Sequence, residues 1–261
     1  MYKRQFVSRL KRAGFNLVLT GSNSRLLSAE LATHLTGRYI EIKILPFSFR
    51  EFLLAKGFNV EKENLIMKET QGKVLHYLRE YLKNGGLPEV VVKGYGREYL
   101  KTLFDGIVFK DIVKRYNIRH SNKLYDLALA LSSHISKSVT YTKLKNSLNF
   151  RSVHTVENYV KYLEEAYLFV MLSRFSYKMK EQLRSPKKAY SIDTGMANAV
   201  GFRVTESIGE LMENIVALEL VRRGLAVYYW KDPYGKEVDF VVRAGGRTKQ
   251  LIQVTYASAR D

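Results

Sequence analysis

Residues 15–52 read FNLVLTGSNSRLLSAELATHLTGRYIEIKILPFSFREF, and this stretch decides the fold expected of the chain. Asn16 to Thr20 is a short apolar run that stops at Gly21-Ser22-Asn23-Ser24. A buried parallel strand reads this way when it delivers polar groups to a sheet edge. Ser24 then stands as N-cap of an amphipathic helix carrying Leu26, Leu27, Leu31, Ala32 and Leu35. Gly37 closes that helix at its C′ position, and Tyr39 to Leu45 gives a second strand ending at Pro46. Strand, helix and strand at this spacing make a βαβ unit, whose crossover implies a parallel sheet.

Three segments carry a resemblance: Leu19-Thr20-Gly21-Ser22-Asn23-Ser24-Arg25-Leu26-Leu27, Leu35-Thr36-Gly37-Arg38-Tyr39, and Pro46-Phe47-Ser48-Phe49-Arg50-Glu51-Phe52. They resemble the AAA+-type ATPases, common in archaea, that carry a winged helix and a C-terminal nuclease-like domain of unknown function. The resemblance implies that residues 1–57 are the C-terminal part of a parallel-sheet P-loop ATPase core. Thr20 or Asn23, with Ser22 as the alternative, would be the polar sensor beside the γ-phosphate. Arg38 would be an arginine finger acting on a neighbouring subunit, which implies a homo-oligomer. ATP and Mg²⁺ are the cofactors implied for the intact protein. The 261 residues contain no GxxxxGK[ST], and no apolar strand ending in Asp-Glu precedes residue 15. The helix-like Tyr2 to Arg12 would follow the missing acidic strand. The chain therefore reads as the back portion of a longer ATPase, unable to hydrolyse ATP by itself and with no cofactor assured for it alone.

Composition narrows the partners. Zero cysteines exclude disulfides, thiolate catalysis and Cys-based zinc sites. Five scattered histidines form no metal motif, and no apolar run is long enough to span a membrane. A cytoplasmic protein without membrane contact is the simplest expectation. Forty-three Lys and Arg against 25 Asp and Glu give a net charge of +18. From Lys110 to Lys188, 16 Lys or Arg stand against six Asp or Glu. So concentrated an excess points to nucleic-acid phosphates, with DNA as the partner. A solvated basic face without a partner is the alternative.

Residues 58–116 read as a helical lid. Lys62 to Leu82 is a long amphipathic helix, and Arg97 to Tyr116 another with Leu100, Leu103, Phe104, Ile107, Val108 and Ile112 on one face. Between them Gly85-Gly86-Leu87-Pro88 stops one helix and starts the next. The bend suffices structurally, but it is similar to the Gly-x-Pro motif of related ATPases. That likeness would put Gly86 and Pro88 at a nucleotide.

Residues 117–190 show three helical patterns (Leu124 to Ile135, Leu144 to Leu148, Val153 to Glu165) followed by strand, basic segment and strand, the order of a winged helix. Val153 to Leu163 would be the recognition helix, offering Arg151, Ser152, His154, Thr155, Asn158 and Lys161 to DNA. The wing adds Arg174, Lys178, Lys180, Arg184, Lys187 and Lys188. Winged helices also serve as protein-binding modules or spacers.

Residues 191–261 give a capping-box helix from Ser207 to Arg223, a hairpin, and a last strand from Gln250 to Tyr256. Asp193 reads as a helix N-cap. Helix, hairpin and third strand resemble an incomplete restriction-endonuclease-like α/β domain, with Glu213, Asp239 and Gln253 at the positions of its metal site. Thr255 stands where that family has a catalytic Lys, and Lys236 or Lys249 would be a migrated replacement. The expectation is a nuclease-like fold without activity. Three function classes are open: part of a DNA-associated ATPase, a non-catalytic DNA-binding regulator, and a metal-dependent nuclease.

Overall fold

The computed structural model describes residues 9–10, 13–18, 40, 42–59, 66–202 and 207–256. Thr20, Ser22, Asn23 and Arg38 lie outside the described residues, as does most of the expected βαβ unit. Residues 15–18, 40 and 42–45 are described and form no strand. Ile40, Ile42 and Ile44 are 80 to 91% exposed. Their alternation is strand-like, but a strand is held by a neighbour's N–H and C=O groups, and no described residue supplies them. The two sheets among the described residues are both antiparallel, so the parallel sheet expected from the sequence is not found among them.

From Pro46 onward the chain packs. Ser48 caps α1 (Phe49–Ala55) through a full capping box: its Oγ accepts from Glu51 N at 3.2 Å, and the Glu51 carboxylate accepts from Ser48 N at 2.7 Å. Phe52 and Leu53 bury against Tyr81 of α2 (Lys68–Asn84) and Val91 of α3 (Pro88–Lys93). Next, α4 (Arg97–Gly106) runs into a π-helical segment, Ile107–Val113, and then α5 (Lys114–Tyr116). Phe104, Val108 and Ile112 from this rod share one core with α6 (Ser121–Ser133) and α8 (Val153–Glu165), through Leu124, Leu127, Leu131, Val156, Val160 and Leu163. The core thus runs straight across the boundary expected at residue 116.

The middle unit continues in the order α6, β1 (Ser138–Val139), α7 (Tyr141–Ser147), α8, β2 (Phe169–Ser173), α9 (Met179–Arg184), β3 (Lys187–Ser191). Thr140 caps α7 and Ser152 caps α8, each accepting a backbone N–H. Strand β3 lies between β1 and β2, with Ser138 and Leu172 both opposite Lys188, and Val170 opposite Tyr190. The expected loop-like wing carries a short helix, α9.

Asp193 caps α10 (Thr194–Val200), which packs on α2 and α4. This helix packs with the helices of residues 68–106, although the expected boundary at residue 191 assigned it to the C-terminal domain. Ser207 caps α11 (Ile208–Arg222), and Gly224 turns the chain at φ 68°. A meander follows: β4 (Ala226–Lys231), β5 (Glu237–Ala244), β6 (Arg247–Ile252), in that spatial order. Ala217, Leu220, Val227, Phe240 and Val242 close over Leu172 and Tyr190 of the middle sheet. The two sheets also meet where Phe175 N donates to Tyr229 O at 2.6 Å. No helix among the described residues is long and apolar enough to cross a membrane.

Candidate functional site

Two buried constellations stand out, one on each side of β3 and its continuation. The first is built around Asp193. Four backbone N–H groups converge on its carboxylate: Gly86 at 2.7 Å, Met196 at 2.8 Å, and those of Leu87 and Gly195. Burial pushes this carboxyl up from 3.8 to about 6, against the lowering effect of the four N–H donors. The contacts around it are too close for any side chain. A Cβ on Gly195 would come within 3.0 Å of the Asn84 carbonyl, and one on Gly85, already at φ 80°, within 3.0 Å of the Asp193 carboxylate. Thr194 Oγ1 adds a bond to Tyr81 O, and Asn198 Nδ2 bonds Leu82 O and Lys83 O. The end of α2, the Gly85-Gly86 bend and the start of α10 form one hydrogen-bonded block.

Pro46 and Phe47 are fastened to the same block. Phe47 N donates to Gly86 O at 2.7 Å, Tyr81 OH donates to Phe47 O at 2.7 Å, and Arg222 donates to Pro46 O at 2.6 Å. The bend therefore joins the stretch after residue 45 to α2, to α10 and, through Arg222, to α11. Gly86 has spent its N–H on Asp193, and a Cβ there would strike Phe47 O. Pro88 is the first residue of α3. Gly86 is buried and leaves no open nucleotide cradle, whereas Pro88 is exposed, and a cleft of about 380 Å³ lies alongside. Lys83, Val90, Tyr95, Arg97 and Asn198 line it. Lys56, Lys83 and Arg97 bring three cations, the first paired with the lining Glu80 at 2.7 Å, and with the Tyr95 ring they suit an anionic, flat ligand of moderate size. Among the described residues, no group of three or more His, Asp or Glu is placed to hold a metal ion.

The second constellation sits between the middle unit and the C-terminal sheet. Glu213 from α11 and Glu237 and Asp239 from β5 surround the ammonium of Lys188, whose side chain is 3% exposed. The Lys188 Nζ lies 2.8 Å from Glu213 Oε1 and 3.6 Å from Asp239 Oδ1, and contacts Glu237 Oε1. Tyr190 OH donates to Glu213 at 2.7 Å; Gln253 Nε2 and Val254 N both donate to Asp239 Oδ2 at 2.8 Å. Asn214 docks α11 on β3, accepting from Ser191 N and donating to Ser191 O. Burial works to lower the Lys188 pKa, but the two glutamates outweigh it and hold the ammonium above its ordinary value. Burial raises Glu213 in spite of Lys188, whereas Lys188 and Lys231 overcome burial to keep Glu237 low.

The sequence placed Glu213, Asp239 and Gln253 together, and the structure brings them together. As a metal site they do not fit. Gln253 turns its amide N–H, not its carbonyl, toward Asp239, and a lysine stands among the carboxylates. Neither Lys236, exposed near the β4–β5 turn, nor Lys249, exposed on β6, is that lysine. Glu237 was missed although its spacing of two from Asp239 puts both on one face of a strand. Lys188 was misassigned. It was expected on a DNA-facing wing, but its side chain is buried in the cluster and cannot reach a phosphate.

The remaining residues expected at DNA divide by exposure. Arg151, His154, Lys161, Lys178, Lys180 and Arg184 are exposed; Thr155, Asn158, Arg174 and Lys187 are half-buried. Lys187 lies over the Tyr141 ring at 5.5 Å, and the Lys178 ammonium is 3.2 Å from Glu181. Beside the exposed cations, Tyr177, Met179 and Leu183 also face solvent.

Three family models match successive parts of the chain: an AAA domain over residues 3–53, a domain of unknown function (DUF8612) over residues 75–207, and a domain of unknown function (DUF4143) over residues 208–260. An uncharacterised protein of Methanocaldococcus jannaschii is 39% identical over 263 residues, covering 97% of this chain and 58% of its own length. An uncharacterised protein of Haemophilus influenzae is 36% identical over 240 residues, covering 89% of this chain and 58% of its own length. The chain thus spans somewhat over half of each of these relatives. No solved structure matches it.

Proposed function

The chain belongs to the DUF8612 family, and we propose that it is the lid and output portion of an AAA-type ATPase that acts on nucleic acid. One observation carries this function. The segment that matches an AAA domain ends at residue 53, and Pro46-Phe47, just before its final helix, is bonded at once to the lid bend at Gly86, to Tyr81 and to Arg222. A shift of an ATPase core would therefore pull on Gly86, through it on Asp193 and α10, and through Arg222 on α11. The exposed Ile40, Ile42 and Ile44 suit a strand whose neighbours come from such a core. In that core Thr20 or Asn23 would sense the γ-phosphate, Arg38 would complete a neighbour's site, and ATP with Mg²⁺ would be held by a phosphate loop outside these 261 residues. The cleft lined by Lys83, Tyr95 and Arg97 is the place on the lid side for the nucleotide.

The output surface is the winged-helix order of the middle unit. Lys180 and Arg184 flank the exposed Met179 and Leu183 on α9, a basic element with an apolar edge of the kind that enters a minor groove. Phosphate neutralisation releases counterions, so duplex affinity should fall steeply with salt, each neutralised phosphate adding about 0.9 to the log–log slope. Lys180→Ala/Arg184→Ala should reduce that slope by roughly 2, while leaving thermal stability unchanged. A flat salt response of the unmodified chain would remove nucleic acid from the function.

The runner-up is a non-catalytic regulator with the same DNA-facing unit. Such a regulator would bind DNA with the same salt slope whether or not ATP is present. Metal-dependent cleavage draws no support from the second constellation, because most of its carboxylate oxygens already accept from N–H, hydroxyl and ammonium groups.

A further inference from the structure

The carboxylates of Glu213, Glu237 and Asp239 approach one point from a helix and an adjacent strand, and a primary amine stands at that point. We propose that Lys188 is the resident cation of this site: its ammonium takes the place of a divalent ion, closes the C-terminal domain to metal, and ties that domain to the middle unit.

The donors argue for it first. A divalent cation bound by oxygen needs several carboxylate oxygens at about 2.0–2.6 Å with free lone pairs. Here most of those oxygens are already engaged. Asp239 Oδ2 accepts from Gln253 and Val254, Glu237 Oε2 lies 2.9 Å from the Lys231 ammonium, and Glu213 Oε1 accepts from both Tyr190 and Lys188. The second argument is the anchorage of the amine. Lys188 sits on the central strand β3, paired on both sides, so its backbone cannot withdraw without breaking the middle sheet. Its Nζ also lies 5.6 Å from the centre of the Tyr229 ring, whose hydroxyl donates to Pro186 O at 2.6 Å and is thereby fixed. The third is burial. An ammonium this deeply enclosed persists only where opposite charges surround it, and three do. The cations come from β3 and β4 and the anions from α11 and β5, so the cluster joins the middle unit to the C-terminal domain across the sheet junction. This inference is independent of the ATPase function: it holds or fails on the cluster alone.

Mn²⁺ is the probe, read by electron paramagnetic resonance and by thermal unfolding of the whole chain. The unmodified protein should bind no stoichiometric Mn²⁺, and its Tm should be the same with Mn²⁺ as with EDTA. Lys188→Ala should lower Tm by roughly 10 °C in EDTA, since removing one partner strands the buried charges. Mn²⁺ should then restore much of the loss, and should fail to do so in Lys188→Ala/Asp239→Asn. Stoichiometric Mn²⁺ on the unmodified protein that disappears in Asp239→Asn would overturn the proposal, and this measurement needs no lysine variant to fold. A Lys188→Ala protein destabilised but indifferent to Mn²⁺ would reduce the lysine to an ordinary ion pair and also overturn it. Lys188→Met, which keeps the side-chain volume, should be destabilised as well; unchanged stability there would contradict the charge argument.

Discussion

Asp193→Ala should cost the protein about 4 kcal/mol near pH 7, where the carboxyl is ionised, enough to lower its Tm by roughly 10 °C. The carboxylate collects the N–H groups of Gly86, Leu87, Gly195 and Met196 in a site closed to water. A methyl group accepts none of them, and a buried N–H without a partner costs about 1–3 kcal/mol, partly relieved where the bend can loosen. Asn is a poor substitute, since its amide would turn a donor toward donors. The penalty should depend on pH in a defined direction. Burial raises the Asp193 carboxyl from 3.8 to about 6 in the folded state. The folded protein therefore binds this proton more tightly than the unfolded chain. The stability so gained is complete below about pH 4 and lost as pH rises through about 6, a total of about 3 kcal/mol. Chemical denaturation of both proteins at pH 4 and pH 7 checks this, with a larger gap between them at the lower pH. A gap that widens toward pH 7 would mean that the carboxyl titrates below its ordinary value.

The second large effect belongs to Arg38. In the ATPase assembled with its phosphate loop, Arg38→Ala should reduce kcat for ATP hydrolysis by about 10³-fold or more, the usual contribution of a guanidinium that meets transition-state charge. Nucleotide affinity should change far less, because the finger acts on the transition state more than on bound ATP. Mixing the variant with unmodified subunits should restore part of the activity if the finger works on a neighbour. In the isolated 261-residue chain the same substitution should change nothing, since that chain should not hydrolyse ATP. Turnover by the isolated chain would contradict the assignment of the phosphate grip to other residues.

Local signals carried much of this fold. Ser152 and the spacing of Val153, Val156, Val160 and Leu163 read as a helix, and α8 runs from Val153 to Glu165. Ser207 with Glu210 announced α11, and Asp193 announced α10 as its cap. These features depend on residues three or four apart, which a sequence displays directly. What the sequence concealed depends on long separations. Lys188 meets Glu213 and Asp239 from 25 and 51 positions away, and a count of charge along the chain set it among exposed cations. Asp193 is 107 positions from the glycine it binds, so the Gly85-Gly86 bend reads from the sequence as a nucleotide contact, while the structure fills it with a carboxylate. The last strand ends at Ile252, short of the expected Tyr256. The register shift beside Arg243 and the Gly245-Gly246 turn, at φ 57° and 76°, move β6 toward the turn.

The claim at the centre of this account is that nucleotide state reaches the output units through the bend at Gly86. Hydrogen exchange of the Gly86 and Met196 amides, both donated to Asp193, reports on that bend directly. Measured in the assembled ATPase with and without a non-hydrolysable ATP analogue, these two amides should change their protection together. Buried amides of the middle core, such as those of Val156 and Val160, should serve as unchanged controls. Identical protection of Gly86 and Met196 in the two states, with the analogue shown to be bound, would contradict the account.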